Sequence, residues 1–306
     1  MKALTTREKA MLREWEGEDE VLALDTPSSA LPLLYLPRIL TERMLPPRRS
    51  SITEVVREYG NVSIRLSTID GKQLPFGAMA KKLLIYFCSR ATQEKNRTVD
   101  MGATEKKLFS ILGMSKTAKS KKLLREQIQR LAALTIVIRY EPNKRKKIIY
   151  RGVLFSSIQL EMEMPEAQLP LFRNSFFYAS KIEFANDFYE SIIAHKCMPF
   201  RRDMIAKLDF AFSLDLFLYL SVRLPNINHG KEVRLRAEHL VAQFAYPDAK
   251  FRMSEFSRSF EKALEKVQSI WAEAKQSVSY DRKSKVLTMR YTKDLVPLKE
   301  EAARGW

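Results

Sequence analysis

From Val62 to Thr68, apolar Val62, Ile64 and Leu66 alternate with Ser63, Arg65 and Ser67, the period of a half-buried strand. Asp70-Gly71 marks a turn. Pro75 opens a helix predicted over about Phe76 to Lys95, whose Met79, Leu83, Leu84, Tyr86, Phe87 and Cys88 cover a broad face suited to the centre of a core. Thr98 to Met101 reads as a short extended piece ended by Gly102. Thr104 caps a helix carrying Leu108, Ile111 and Leu112 on one stripe, and Gly113 closes it. A basic helix follows over Lys116 to Ala133, with Leu124, Ile128 and Leu131 as its buried stripe. At about 100° per residue, Lys119, Lys122, Arg125 and Gln129 fall on the other side. Thr135 to Tyr140 reads as a strand, Glu141 to Lys147 as a basic turn, and Ile148 to Leu160 as the returning strand.

The second half repeats this order without repeating the sequence. Ile182 to Phe184 is a short strand and Asp187 to His195 a connecting helix. Phe210 to Arg223 is a strongly apolar helix stopped by Pro225-Asn226, and Leu235 to Phe244 is a shorter one. Met253 to Ala274 places Phe256, Phe260, Leu264, Val267 and Trp271 on one stripe, with Arg258, Lys262, Glu265 and Ser269 opposing it. Ser277 to Tyr280 and Val286 to Tyr291 form a hairpin around Asp281-Arg282-Lys283-Ser284-Lys285.

Strand, helix, helix, basic helix and basic-tipped hairpin is the layout of a winged helix, in which the third helix enters the major groove and the hairpin lies along the backbone. The predicted fold is α+β, mainly α, with two winged-helix domains in tandem. Residues 1–50 form an acidic tail and a Pro-rich connector, 51–162 the first domain and 163–179 a linker with Pro165 and Pro170. Residues 180–296 form the second domain and 297–306 a C-terminal tail. A short helix is expected near Thr6 to Trp15.

Charge sharpens the picture. The chain of 306 residues carries 53 Lys/Arg against 36 Asp/Glu, a net of +17. Residues 104–151 hold 14 basic and 3 acidic side chains, and residues 250–293 hold 11 and 5; the rest of the chain is balanced. An excess confined to the two basic helices and their hairpins points to two phosphate-facing patches. The two cysteines, Cys88 and Cys197, sit in apolar contexts without a Cys-x-x-Cys pair, as expected of a reducing cytosol. The first residues have no apolar signal core, and the apolar stretch Leu31 to Leu40 is broken by Pro32 and Pro37. A cytoplasmic protein with no membrane partner is expected.

Several segments resemble the plasmid-encoded RepA family of replication initiators. They are Leu36-Pro37-Arg38, Leu74-Pro75-Phe76-Gly77 leading into Lys81-Lys82-Leu83-Leu84-Ile85-Tyr86-Phe87, the helix from Thr104 to Gly113, and Leu171-Phe172. The resemblance covers roughly residues 31–224 and departs from the family's aromatic-rich first helix at Phe87-Cys88-Ser89. It implies binding to repeated double-stranded sites at a plasmid origin, opening of the DNA and recruitment of host replication proteins such as an initiator or helicase. It also implies a bacterial protein associated with the nucleoid and its plasmid, repression of the protein's own promoter and a homodimer. The alternative is a tandem winged-helix transcription regulator without a replication role; a nicking enzyme or primase is the third reading.

Catalytic chemistry has no visible home. There is no G-x-x-x-x-G-K-[ST] or G-x-G-x-x-G to cradle phosphates. His195, His229 and His239 stand apart, so the histidine cluster of a metal-dependent nickase is missing. No catalytic residue, metal or cofactor is predicted. The predicted DNA contacts are Lys119, Lys122, Arg125 and Gln129 on the first basic helix and Arg252, Arg258 and Lys262 on the second. Lys144, Arg145, Lys146, Lys147, Arg282, Lys283 and Lys285 in the hairpin tips complete the set. Arg125 suits guanine and Gln129 adenine, while tip residues meet phosphate. Phe256 and Trp271 are core residues by spacing.

Overall fold

The computed structural model describes residues 33–293, apart from 42–44, 60, 61, 70, 101–104, 144, 145, 163–176, 195, 196 and 246–251. The expected helix near Thr6, the acidic tail, the Thr104 cap, most of the expected linker and the C-terminal tail lie outside the described residues.

Two apolar helices organise the molecule. Helix α1 (Gly77–Glu94) is buried without interruption from Ala78 to Ser89. Helix α6 (Ala211–Arg223) is buried from Ala211 to Leu220. Helices apolar all round must be covered all round, and these two pack on each other. Around α1 lie β4 (Thr98–Asp100), α2 (Glu105–Ile111), α3 (Ala118–Ala132), β7 (Phe155–Met162) and β8 (Phe177–Phe184). Asn186–Phe188, here α4, runs into a π turn, Tyr189–Ile193. Around α6 lie β10 (Glu232–Leu235), α7 (Ala237–Phe244), α8 (Met253–Ile270), α9 (Ala272–Ser277), β11 (Val278–Asp281) and β12 (Val286–Arg290). The fold is α+β.

Each half has a three-stranded wing sheet of the same construction. The strand between the first two helices and the first hairpin strand flank the second hairpin strand, in the order β4-β8-β7 and β10-β12-β11. Val99 and Ile158 both oppose Ile182 in the first sheet; Val233 and Val278 both oppose Met289 in the second. These correspondences define two winged helices in tandem.

One expectation is corrected here. The basic hairpin β5 (Leu134–Asn143) and β6 (Lys146–Val153) is not part of the first wing sheet. It joins β2 (Glu54–Tyr59) and β3 (Val62–Thr68) in a separate four-stranded antiparallel sheet, β2-β3-β5-β6, and the first wing is the hairpin β7–β8. The expected single strand Ile148 to Leu160 splits because Leu154 and Phe155 are buried in succession. A strand alternates faces, so two adjacent buried residues carry the chain from one sheet into the next. Phe177 to Ala179, expected at the end of a linker, belong to β8 and pair with Met162, Glu161 and Leu160.

The Pro-rich connector is also built into the fold. Leu33–Pro37 forms β1, which pairs antiparallel with β9 (Cys197–Arg201), and Leu34, Leu36, Leu40 and Leu45 are buried. Helix α5 (Arg202–Ala206) follows β9. Buried apolar residues of both halves form one continuous cluster.

Candidate nucleic-acid interface

Helix α3 starts where the sequence supplies a cap. Thr117 Oγ1 accepts from the Ser120 amide at 3.1 Å, and Ser120 Oγ accepts from the Thr117 amide at 2.7 Å, a reciprocal capping box. Leu124, Ile128 and Leu131 are buried as the period requires, and Lys119, Lys122 and Gln129 are exposed while Arg125 is half-buried. Gln127, which the pattern leaves unremarked, is fully buried because its Oε1 accepts from the Phe76 amide at 2.8 Å.

The two ends of α3 differ. Towards its C-terminus, Arg130 donates to the carbonyls of Gln73 and Leu74 at 2.9 and 3.0 Å and pairs with Glu126, which also accepts from Arg49. The guanidinium carbons of Arg49 and Arg130 each lie 5.2 Å from the Phe76 ring centroid. Gln129 lines an open cavity of 580 Å³ here, with Ser51, Thr53, Lys72 and Gln73. Lys119 and Lys122 stand at the other end, where a recognition helix presents its first turns to base edges.

Helix α8 is the stronger amphipath. Phe256, Phe260, Ala263, Leu264 and Val267 are buried and Arg258, Lys262, Glu265 and Ser269 exposed, as the stripe predicts. Arg252 occupies the N-cap and lies 3.5 Å from Glu255. The helix ends at Ile270, short of the expected Ala274, because Trp271 leaves helical geometry at φ −129° and turns its buried ring edge-on to Phe217.

The second wing is pinned to this helix. Tyr280 donates to Ser257 Oγ at 3.1 Å, and Gln268 donates to the Val278 carbonyl at 2.8 Å. In the tip, Asp281 accepts from the Lys283 amide at 2.9 Å and from the Ser284 hydroxyl at 2.5 Å, which holds its carboxyl below the usual range. Lys285 takes the left-handed conformation, φ +56°. The tip therefore presents Arg282, Lys283 and Lys285 from a shaped turn. Arg282 is shared with Glu261 of α8, 3.6 Å away, a pairing that sequence spacing does not reveal.

Of the other predicted contacts, Lys146 and Lys147 open β6 in the four-stranded sheet, and Lys144 and Arg145 lie outside the described residues. Arg234 on β10 and Arg236 at the N-cap of α7 are exposed and lie outside the basic segments marked by the charge count. Glu232 accepts ion pairs from Arg234 and Arg290 at 2.5 and 3.3 Å.

Among the described residues no three His, Cys, Asp or Glu side chains approach as a metal site, and no helix is long and apolar enough to cross a membrane. Burial pushes the Cys88 thiol well up and the Cys197 thiol up to about 12, so both stay protonated at neutral pH.

The family described as plasmid encoded RepA protein matches residues 74–238, more than half of the chain. The chain belongs to the plasmid-encoded RepA family of replication initiators. The matched span runs from the loop before α1 through the start of α7, and so includes α3 but not α8. No curated protein matches the sequence. Among solved structures, domains 2 and 3 of RctB superpose with a TM-score of 0.53 at 11% identity, covering 84% of this chain and 98% of that one. This likeness supports the fold. A second RctB structure, of residues 155–483, gives 0.49 at 12% identity over 74% and 82% of the two chains. Pi initiator protein in complex with iteron DNA gives 0.43 at 15% identity over 78% and 97%. The last two scores add nothing to the assignment.

Proposed function

We propose that this RepA-family chain binds duplex DNA sequence-specifically at repeats in a plasmid origin, presenting α3 and α8 to the major groove. In this reading Lys119, Lys122, Arg125, Arg258 and Lys262 face the groove, with Gln129 and Arg252 at its margins. Lys283 and Lys285, with Arg282 held beside Glu261, neutralise phosphate. Lys144, Arg145, Lys146 and Lys147 add a further cationic segment, of which Lys146 and Lys147 belong to β6 of the four-stranded sheet. Bound protein opens the DNA and recruits host replication proteins, and a homodimer represses its own promoter. The chain supplies binding energy and positioning and no bond-breaking chemistry. Because β8 (Phe177–Phe184) completes the first wing sheet, the first domain in this reading runs on through Ile182 to Phe184, the strand expected to open the second, and the second domain follows it.

The observation that carries the reading is the second half: an exposed Arg258/Lys262 face opposite a buried aromatic stripe, coupled through Tyr280–Ser257 to a cationic tip. Family membership favours replication over regulation alone. The test is dependence. A plasmid carrying this gene with a frameshift should fail to establish, and the chain supplied in trans should restore it, whereas folded Arg258→Ala should not. Establishment of the frameshifted plasmid without the chain would leave only the regulator reading.

A further inference from the structure

The two halves meet through polar groups as well as apolar ones. Lys81 on α1 and Asp215 on α6 form an ion pair with side chains only 6% and 4% exposed. The next residue, Lys82, is 1% exposed and donates to the Ala206 carbonyl at 3.3 Å, with Asp209 Oδ1 3.4 Å away. Gly113, in the turn between α2 and α3, adopts φ +61°, and a Cβ there would lie 2.6 Å from the Ala206 carbonyl oxygen. The helix-turn-helix corner of the first half thus rests on α5 of the second.

These contacts differ in kind from the surrounding core. Apolar contact is non-directional and tolerates sliding. A buried ion pair adds little net stability, because desolvation offsets its attraction, but displacing one partner strands a charge in the interior. The Lys81–Asp215 pair therefore selects one register of α1 on α6, and the Gly113–Ala206 contact leaves no room for another. Helix α1 leads through β4 and α2 into α3, and α6 leads through β10 and α7 into α8. A register fixed at α1–α6 is transmitted to both recognition helices.

We propose that Lys81 and Asp215, with Gly113 seated on Ala206, are positioning residues that set the spacing between the DNA segments read by α3 and α8. The inference rests on those helices reading DNA. It assigns site-spacing specificity to residues that touch no DNA.

The test compares the wild type with Lys81→Met/Asp215→Leu, which replaces the pair by apolar groups, and with Asp215→Asn, which keeps the volume. A duplex target is first selected from random DNA with the full-length wild-type chain. Base pairs are then inserted between its two half-sites, up to half a helical turn, roughly five. Wild type should lose affinity by about tenfold or more at the longest insertion, whereas the double variant should lose less than about threefold and bind the uninserted target nearly as before. Asp215→Asn should fall between them. A purely structural role would lower affinity for every spacing alike.

Calorimetry supplies a readout independent of DNA: wild type should unfold in one transition and the double variant in two. A wild-type spacing profile in the double variant overturns the proposal. If that variant fails to fold, Asp215→Asn decides: a wild-type profile there overturns it and a broadened one supports it. If the wild type selects no target, the DNA reading fails, and calorimetry alone decides the lock. A single unchanged transition in the variants would then refute it.

Discussion

Arg57 of β2 donates to the Ala245 carbonyl at the end of α7, 2.6 Å away, and to the Ala242 carbonyl at 3.3 Å. One guanidinium from the four-stranded sheet thereby satisfies the last carbonyls of a helix in the other half. Orphan carbonyls and the negative end of the helix dipole both favour a cation there. The arginine is only 8% exposed, and its removal takes a charged donor from two part-buried carbonyl bonds at the helix end. Arg57→Ala should cost about 1–3 kcal/mol in denaturant unfolding, with amide exchange in the last turn of α7 accelerating first. Unchanged exchange in α7 would show that the contact does not hold this helix.

The start of α3 depends on two hydroxyls. Thr117→Ala removes the acceptor for the Ser120 amide and should cost about 0.5–2 kcal/mol. Thr117→Asn or Thr117→Asp should recover most of that loss in the same unfolding experiment. Failure of either to do so would mean that the cap is not what stabilises the first turn.

Alkaline pH should destabilise the protein through the buried thiol of Cys88 and the half-buried thiol of Cys197. Cys88 and Cys197 have folded-state pKa values raised by burial, Cys197 to about 12. The native state thus keeps protons that the unfolded chain releases above about pH 8.5. Their contribution is complete below that pH and is lost as pH rises through the window up to about 12. Tyr150, also raised to about 12 by burial, joins from the ordinary phenol value upward. Lys82, lowered by burial, acts in the opposite sense, and a comparison with Cys88→Ala/Cys197→Ala cancels it. Stability measured from pH 7 to about 10 should decline more steeply in wild type than in that variant. Parallel profiles would contradict the assignment.

The sequence makes some parts of this molecule legible and hides others, for physical reasons. Periodicity locates α1, α3, α6 and α8 because each buries a stripe or an entire surface, and the exposed face of α8 follows from Phe256, Phe260 and Leu264 alone. The β2 strand is missed because Glu54, Arg57 and Glu58 break its apolar run, and Arg57 is buried against carbonyl partners in the other half. The wing of the first half is mistaken for β5–β6 because sheet membership depends on long-range partners. Nothing local says that Ile182 will find both Val99 and Ile158. The apolar pattern of α1 assigns Lys81 and Lys82 no place in the core, and only the packing of α1 on α6 shows that they are buried.

The central claim, that α8 reads sequence while its wing supplies affinity, is tested most directly by binding curves for Arg258→Ala and Lys283→Ala. Each is measured on a selected target and on random duplex at two salt concentrations. Both side chains are exposed and lie off the buried stripe, so neither change should unfold the domain. Arg258→Ala should cost roughly 1–3 kcal/mol on the target and little on random DNA. Lys283→Ala should weaken both DNAs about equally and reduce the salt slope by about 1. Equal loss on both DNAs for Arg258→Ala, or no loss on either, would contradict the placement of α8 in the groove.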